Sequence, residues 1–548
     1  MRAALGQFNA VVGDFAGNAE KMRQMYARAV KAGADLLAFP ELAMCGYPPE
    51  DLLYKQQFLK DCSAALEKLA ADCPDLSIIA GFAGSEGNKI YNSAALLAGG
   101  KVRKVYRKGM LPNYGVFDER RYFNPGTEPL VIEIAGLSVA VTICFDIWNL
   151  QWLRTFLAGA GRIQMILNIS ASPFHTGKIW AREKVINACA MELNCALAYC
   201  NLVGGQDELV FDGRSIFADS TGRFIAKAKA FEEDLFVADV VPAENGIVQI
   251  KPKQPPAPQP ADSVDEIYQA LLLGTRDYTN KNGFEKVLLG LSGGIDSSVT
   301  AAIAVAALGA ENVVGISMPS EFNSPETISD AEKLAKNLGI EFHTIPIGEI
   351  LGQFYQSLLA VEGWNDEGIA YENLQARIRG CILMSLSNQF GSLVLTTGNK
   401  SETAVGYSTL YGDTAGGFGI IKDVPKTTVY ELAKHINKIE ERQVIPAEVI
   451  TRPPSAELRA GQKDSDALPD YDLLDKILKG YVEEDKSLME LIAQGLPKDV
   501  VGKVVRMVDR NEYKRRLSPP GIKITPKAFG KDRRLPITNR YSQTQDTG

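Results

Sequence analysis

Apolar residues along this chain fall into short blocks of strand length, separated by longer stretches with helical spacing. In the first 245 residues the blocks are LLAF (36–39), LSIIAGF (76–82), LSVAVTIC (137–144), IQMILNIS (163–170) and ALAYCN (196–201). Between them, GNAEKMRQMYARAVKAGA (17–34) places its apolar side chains at helical intervals. This alternation predicts a layered α/β architecture, closed by a hairpin-rich stretch, VFDGRSIFADSTGRFIAKAKA (210–230). The pattern then stops at KPKQPPAPQPAD, where five prolines fall between Pro252 and Pro260. Such a composition forms a stiff exposed connector rather than a core element. The expected division is a domain over 1–245, a connector over 246–262 and a domain over 263–548.

After the connector the rhythm resumes with an amphipathic helix from Ser263. It continues through strand KVLLG, a helix, strand VVGISM, helix PETISDAEKLAKNLG and strand FHTIPI. That βαβαβ order predicts a doubly wound parallel sheet, which takes its ligands at the carboxyl ends of its strands. No internal repeat is evident.

Composition narrows the class. A 548-residue chain with 46% hydrophobic and 23% charged residues is expected to fold as at least two globular domains. No apolar run is long enough for a membrane span, so no membrane partner is expected. The opening MRAALGQFNAVVGDF alternates like a strand, without a secretory leader's apolar core and cleavage site, so the expected location is the cytoplasm. Eight dispersed cysteines without a CxxC pair suggest reduced thiols, and three histidines far apart in sequence make a structural metal site unexpected. Cys189, Cys195 and Cys200 are expected to pack as small apolar residues, His175 to lie on a loop, and Asp207, Asp212 and Asp219 to serve turns. The net charge of −7 gives no general attraction to nucleic acid, yet residues 501–540 hold 12 Lys and Arg against 3 Asp and Glu.

One stretch concentrates chemistry. LSGGIDSSVT (291–300) lies between strand KVLLG and an alanine-rich helix. Strand, glycine turn and helix N-terminus make an anion site, because unpaired N–H groups and the positive helix end face the same ligand. The spacing fits neither GxxxxGK[ST] nor GxGxxG. SGGxDS instead resembles the pyrophosphate loop of the N-type ATP pyrophosphatases, which cleave ATP to AMP. That resemblance gives Ser292, Gly293, Gly294, Ser297 and Ser298 to the phosphates and Asp296 to Mg²⁺.

With TTGNKSETAVGYSTLYGDTAGGFGIIKDVPKTTVYELA (396–433) and ENLQARIRGCILMSLSN (372–388), this loop resembles the NAD synthetases. Upstream, FPEL (39–42), RKGMLPNYGVFDER (107–120) and TICFDIW (142–148) resemble their nitrilase-type amidase domain. Taken together, the chain resembles the glutamine-dependent NAD synthetase family over nearly its whole length. The resemblance implies an α-β-β-α sandwich followed by a Rossmann-like ATP pyrophosphatase domain. It also implies the substrates glutamine, ATP and deamido-NAD, with Mg²⁺ as cofactor, no nucleic acid, and a homo-oligomer built on a synthetase-domain dimer.

By the same resemblance Arg379, Thr396, Lys426 and Lys527 contact ATP, and Glu402 joins Asp296 on the metal. Asp413, Lys422 and Asp423 lie on the deamido-NAD side. The basic segment YKRRLSPPGIKITPKAFGKDR, from Tyr513, closes over the triphosphate. In the amidase half Glu41 is the general base, Lys108 steadies the thiolate and oxyanion, and Cys144 is the nucleophile. Each stands at or next to the end of a strand-like run. Tyr114, Glu119, Ser170, Ser172 and Arg182 fall where glutamine is held. Two departures stand out: Phe145 follows the nucleophile where the family often has an acid, and GGFGIIKD replaces GGFAPIKD. Because free ammonia becomes ammonium in water, a buried passage between the two sites is expected. The competing reading is an ATP-pyrophosphatase-type tRNA-modifying enzyme, whose basic tail would bind RNA with steep salt dependence.

Overall fold

The computed structural model describes all residues except 243–247, 256, 366–367, 542 and 544–548. The chain forms two compact units, Met1–Ala261 and Asp262–Gly548.

In the first unit the strands are β1 (Arg2–Gln7), β2 (Leu36–Ala38), β3 (Ser77–Glu86), β4 (Lys89–Ala98) and β5 (Lys101–Arg107). There follow β6 (Leu130–Ile134), β7 (Leu137–Ile143), β8 (Met165–Ser170), β9 (Ala196–Asn201), β10 (Val203–Gln206) and β11 (Leu209–Asp212). The last are β12 (Ile216–Ala218), β13 (Phe224–Lys227), β14 (Asp234–Pro242) and β15 (Val248–Pro252). Among the described residues they build a seven-stranded sheet, order β15-β14-β1-β2-β3-β4-β5, and a six-stranded sheet, order β13-β12-β9-β8-β7-β6. β10 and β11 make a separate hairpin.

The alternation of side chains along each strand explains the layering. In β7, Val139, Val141 and Ile143 join Leu5, Ala38 and Ile79 in a core between the sheets. Ala140 of the same strand turns outward to Leu153, Ile186 and Cys189 beneath helices Leu150–Leu157 and Lys178–Leu193. On the far face of the larger sheet, Ala4 and Leu37 meet Met22, Met25 and Leu66 of helices Phe15–Lys31 and Gln56–Asp72. The result is helix, sheet, sheet, helix, and strands covered on both faces read as unbroken apolar runs. Residues 248–252, at the start of the expected connector, pair antiparallel with β14 as an edge strand. Residues 246, 247 and 256 of that connector, and 243–245 before it, lie outside the described residues.

The second unit is built on a parallel sheet of β16 (Val287–Gly290), β17 (Val313–Ser317), β18 (Glu341–Thr344), β19 (Leu393–Thr396) and β20 (Phe418–Gly419). Its order is β18-β17-β16-β19-β20, and every pairing is parallel. The direction of winding reverses at β16, between β17 and β19, which opens a crevice at their carboxyl ends. A separate apolar cluster joins helices Tyr471–Leu478, Leu488–Ala493 and Lys498–Arg510. No described helix is long and apolar enough to cross a membrane.

Candidate functional site

In the first unit, Glu41, Lys108 and Cys144 converge. β7 ends at Ile143, and the chain turns at once into a short 3₁₀ helix, Cys144–Trp148. Cys144 takes φ +42°, the left-handed region that a residue with a Cβ enters at a cost, so its thiol leaves the alternation of the strand. Lys108 follows β5, and its buried ammonium lies 2.6 Å from Glu41 Oε1 and 2.8 Å from Glu119 Oε1. Asn92 Nδ2 also donates to Glu41 Oε1 at 2.7 Å, and Ala171 N to Glu41 Oε2 at 2.8 Å. The Tyr47 hydroxyl donates to Glu119 Oε1 at 3.0 Å.

Burial alone would lower the Lys108 pKa, but the carboxylates of Glu119 and Glu41 outweigh it and hold the ammonium above its ordinary range. Burial pushes Glu119 up to about 7 despite Lys108. Burial and the Glu41 charge also push the Cys144 thiol up, against the pull of Lys108. Cys144 therefore rests as a thiol, and its proton needs a carboxylate beside it to leave.

The residues expected around glutamine are arranged unevenly. Ser170 donates to Asn168 Oδ1 at 2.7 Å and reaches the Cys144 thiol. Tyr114 is half exposed, its ring 5.7 Å from Phe145, which stacks in turn on Trp148. Arg182 is buried and already answered by Asp212, through Nη2 to Oδ1 at 2.9 Å and Nη1 to Oδ2 at 3.1 Å. Nη2 also reaches the Ser172 carbonyl at 3.4 Å. The turn role expected of Asp212 is thereby corrected. It is the last residue of β11, 1% exposed, and its charge serves Arg182. Cys189, Cys195 and Cys200 are buried among apolar neighbours, as expected.

In the second unit a cavity of about 430 Å³ opens at the carboxyl ends of β16 and β19. Ser292, Gly293, Gly294, Asp296, Ser297, Arg379, Thr396, Glu402, Asp413 and Lys426 of the expected set line it. Gly293 has φ +79°, and a Cβ there would sit 2.0 Å from the Thr327 carbonyl oxygen, so only glycine fits. The helix Ile295–Leu308 starts at this turn with its N-terminus toward the cavity wall. Ser298 is turned away, its hydroxyl spent on the Gly294 carbonyl at 2.8 Å.

Asp296 and Glu402 meet at one ammonium. Lys426 Nζ lies 2.5 Å from Asp296 Oδ2 and 2.9 Å from Glu402 Oε1. Asn399 gives Nδ2 to Asp296 Oδ1 at 2.9 Å and, as N-cap of helix Lys400–Val405, accepts from the backbone N of Glu402 at 2.9 Å. Burial raises Glu402 to about 7, with Asp296 adding to the rise and Lys426 opposing it. Tyr471 donates to Asp464 Oδ2 at 2.9 Å and reaches Glu402 Oε1 at 3.4 Å, and the Tyr407 hydroxyl also faces Asp464. The two converging acids are hard oxygen donors of the kind a divalent cation takes.

Lys422 lines a smaller recess with Asp413, Ser518 and Pro519, its ammonium on the Pro519 carbonyl at 2.5 Å. Two further expected residues lie apart from both linings. Asp423 is buried and accepts from Ile524 N at 2.9 Å, Thr525 N at 2.8 Å and the Thr525 hydroxyl at 2.7 Å. Lys527 pairs with exposed Asp485 at 2.5 Å. Sequence reading passed over Asn92, Tyr47, Asn399, Asp464 and Tyr471. Asn92 was findable as a polar residue within the apolar strand KIYNSAALLA, and Asn399 as the N-cap of helix Lys400–Val405; Tyr47 gave no signal because its partner Glu119 lies 72 positions away, and Asp464 and Tyr471 pair locally but meet Glu402 only in the fold.

The comparisons with known proteins divide the chain the same way. A carbon-nitrogen hydrolase family model matches residues 2–246, and an NAD synthase model matches residues 267–518. The glutamine-dependent NAD(+) synthetase of Thermotoga maritima is 46% identical over 99% of both chains. That of Acinetobacter baylyi is 46% identical over 98% of both. A solved glutamine-dependent NAD+ synthetase from Acinetobacter baumannii, in complex with ADP, superposes with a TM-score of 0.78 at 42% identity over 98% of both chains.

Proposed function

We propose the following reaction for this chain, which belongs to the family of glutamine-dependent NAD(+) synthetases: glutamine, ATP and deamido-NAD become glutamate, NAD⁺, AMP and pyrophosphate. The observation that carries the reading is the pairing on one chain of a thiol–carboxylate–lysine site with an SGGIDS cavity holding two converging acids. The chain's kinship with ligases of the same length supports it.

In the first unit Glu41 takes the Cys144 proton, and the thiolate attacks the side-chain amide carbon of glutamine. Lys108 and the backbone N–H of Phe145 answer the oxyanion. Ammonia leaves, and water hydrolyses the glutamyl thioester to glutamate. Tyr114, Glu119, Ser170, Ser172 and Arg182 frame the substrate. Arg182, being neutralised by Asp212, acts chiefly by shaping the pocket.

In the second unit the nicotinate carboxylate of deamido-NAD attacks the α-phosphorus of ATP, and pyrophosphate departs into the SGGIDS turn. Ammonia then attacks the acyl-adenylate carbon and AMP leaves. Mg²⁺ held by Asp296 and Glu402 would neutralise charge on the departing pyrophosphate. Lys426, which pairs with both acids, would turn to the phosphates of ATP. Arg379, Thr396, Ser292, Gly293, Gly294 and Ser297 receive ATP, with Ser298 supporting the turn. Asp413 and Lys422 face deamido-NAD. Asp423 and Lys527 belong to the anchoring of the basic C-terminal segment. The reading includes a cytoplasmic setting. It also includes a homo-oligomer built on a dimer joined through the second unit, where Phe354, Ile369, Met384 and Phe390 stand exposed on the adjoining helices Gly348–Leu358 and Ile369–Phe390.

The test is a product assay with ATP, deamido-NAD and either glutamine or an ammonium salt. NAD⁺, AMP and pyrophosphate in equal amounts are expected from both; ADP as the nucleotide product would reject the reading.

A further inference from the structure

We propose that Asp146 is the positioning residue that fixes Cys144 against Lys108 across the two facing sheets of the first unit; this deepens the glutaminase reading above and rests on it. The two reacting residues belong to different sheets. Cys144 follows β7, which pairs with β6 and β8, and Lys108 follows β5, which pairs with β4. No backbone ladder among the described residues joins these strands, and side-chain packing between sheets is non-directional.

Asp146 supplies the directional tie. Its carboxylate is fully buried, and four donors end on its two oxygens. Oδ2 accepts from Ile143 N at 2.8 Å and from the Tyr106 hydroxyl at 2.7 Å. Oδ1 accepts from Met110 N at 2.8 Å and Gly109 N at 3.1 Å. Ile143 immediately precedes the nucleophile, while Tyr106, Gly109 and Met110 bracket Lys108 on both sides. One carboxylate therefore gathers the backbone on either side of the reacting pair, with the shorter and stronger bonds that an ionised acceptor makes. The bond to Ile143 N also braces the turn in which Cys144 holds its left-handed backbone. Packing seals the arrangement, since a Cβ on Gly109 would collide with the Trp152 ring at 2.4 Å.

An asparagine at 146 has one acceptor oxygen, so its NH₂ faces either the backbone N–H of Ile143 or those of Gly109 and Met110. The test uses the full chain with Asp146→Asn and Tyr106→Phe. It follows glutamine-driven and ammonium-driven NAD⁺ formation, and the alkylation rate of Cys144 by iodoacetamide read on its peptide. For Asp146→Asn the expected result is a fall of about 100-fold in the kcat of glutamine hydrolysis, the size of effect that a displacement near 1 Å produces. The KM for glutamine should stay within about threefold, Cys144 alkylation should slow at least in proportion to a displaced thiol, by about 10-fold, and ammonium-driven synthesis should be unchanged. Tyr106→Phe, which keeps the carboxylate and its three N–H donors, should lose about fivefold in kcat.

Wild-type kcat and alkylation in Asp146→Asn would overturn the proposal. Should that variant also lose ammonium-driven synthesis, it has misfolded and Tyr106→Phe decides, with wild-type behaviour there overturning the proposal. A wild-type chain that makes NAD⁺ from ammonium but never hydrolyses glutamine would instead remove the glutaminase reading itself.

Discussion

Lys108 Nζ and Glu41 Oε1 stand 2.6 Å apart, with neither side chain more than 1% exposed, although 67 positions separate them in the chain. A buried ion pair of this kind contributes little net stability, because desolvating both charges offsets their attraction. Its value here is placement. Glu41 is kept beside the thiol with one oxygen tied to Lys108 and Asn92 and the other to Ala171 N. Glu41→Gln preserves the shape but removes the base, so glutamine hydrolysis should fall by about 10²- to 10⁴-fold while ammonium-driven synthesis is retained. Steady-state assays with the two nitrogen sources check this; an equal loss in both would contradict separate sites.

Cys144→Ala goes further, since no thioester can form. Glutamine-driven NAD⁺ formation should disappear, and synthesis from ammonium salts should proceed near the wild-type rate. Trapping the wild-type enzyme with labelled glutamine and finding the label on the peptide of Cys144 would identify the nucleophile directly.

Lys426 sits between Asp296 and Glu402. Removing it as Lys426→Met leaves two carboxylates facing each other with no compensating charge. ATP cleavage to AMP should drop by at least about 10²-fold with either nitrogen source, as expected when a group that answers transition-state charge is lost. Asp296→Asn should likewise abolish pyrophosphate release with both sources, monitored by a coupled phosphatase assay.

The value of about 7 for Glu402 gives a pH dependence with a definite sign. Below pH 7 the cation-free protein holds Glu402 protonated, so binding a divalent cation must displace a proton. Magnesium affinity should therefore rise with pH up to about 7 and level off above it, with proton release measurable by calorimetry in two buffers. For the cation-free fold, the contribution of this group is full below the unfolded value near 4.5 and is lost as pH rises through about 7. Added Mg²⁺ should flatten that part of the Tm–pH curve. A cation affinity independent of pH between 5.5 and 8 would contradict this assignment.

Asp423 predicts a stability effect rather than a catalytic one. Burial would raise its pKa, but Lys400 and Lys523 outweigh burial and hold the carboxyl below its usual range. Lys400 depends on this acid at 3.0 Å and on Glu483 at 2.7 Å. Asp423→Ala strips a partner from a buried ammonium and frees the backbone N–H groups of Ile524 and Thr525. A destabilisation of about 3–5 kcal/mol is expected, visible as a lower urea midpoint and faster proteolysis after residue 518.

What the sequence by itself determined was local. The unbroken apolar blocks, the glycine turn before Ile295 and the place of Cys144 at the end of LSVAVTIC follow from alternation and backbone sterics, which act over a few neighbouring residues. The resemblance of the motifs then named the reacting groups. Tertiary structure alone decided which charges answer each other: Arg182 with Asp212, Lys426 with Asp296 and Glu402, and Asp423 with a segment a hundred residues onward. Asp212 is the plainest case, since beside a glycine it reads as a turn residue and in the fold it is a buried counter-ion. Burial turns charge pairing into an obligation, and only the packing of distant strands creates burial. No local pattern in the chain carries that information.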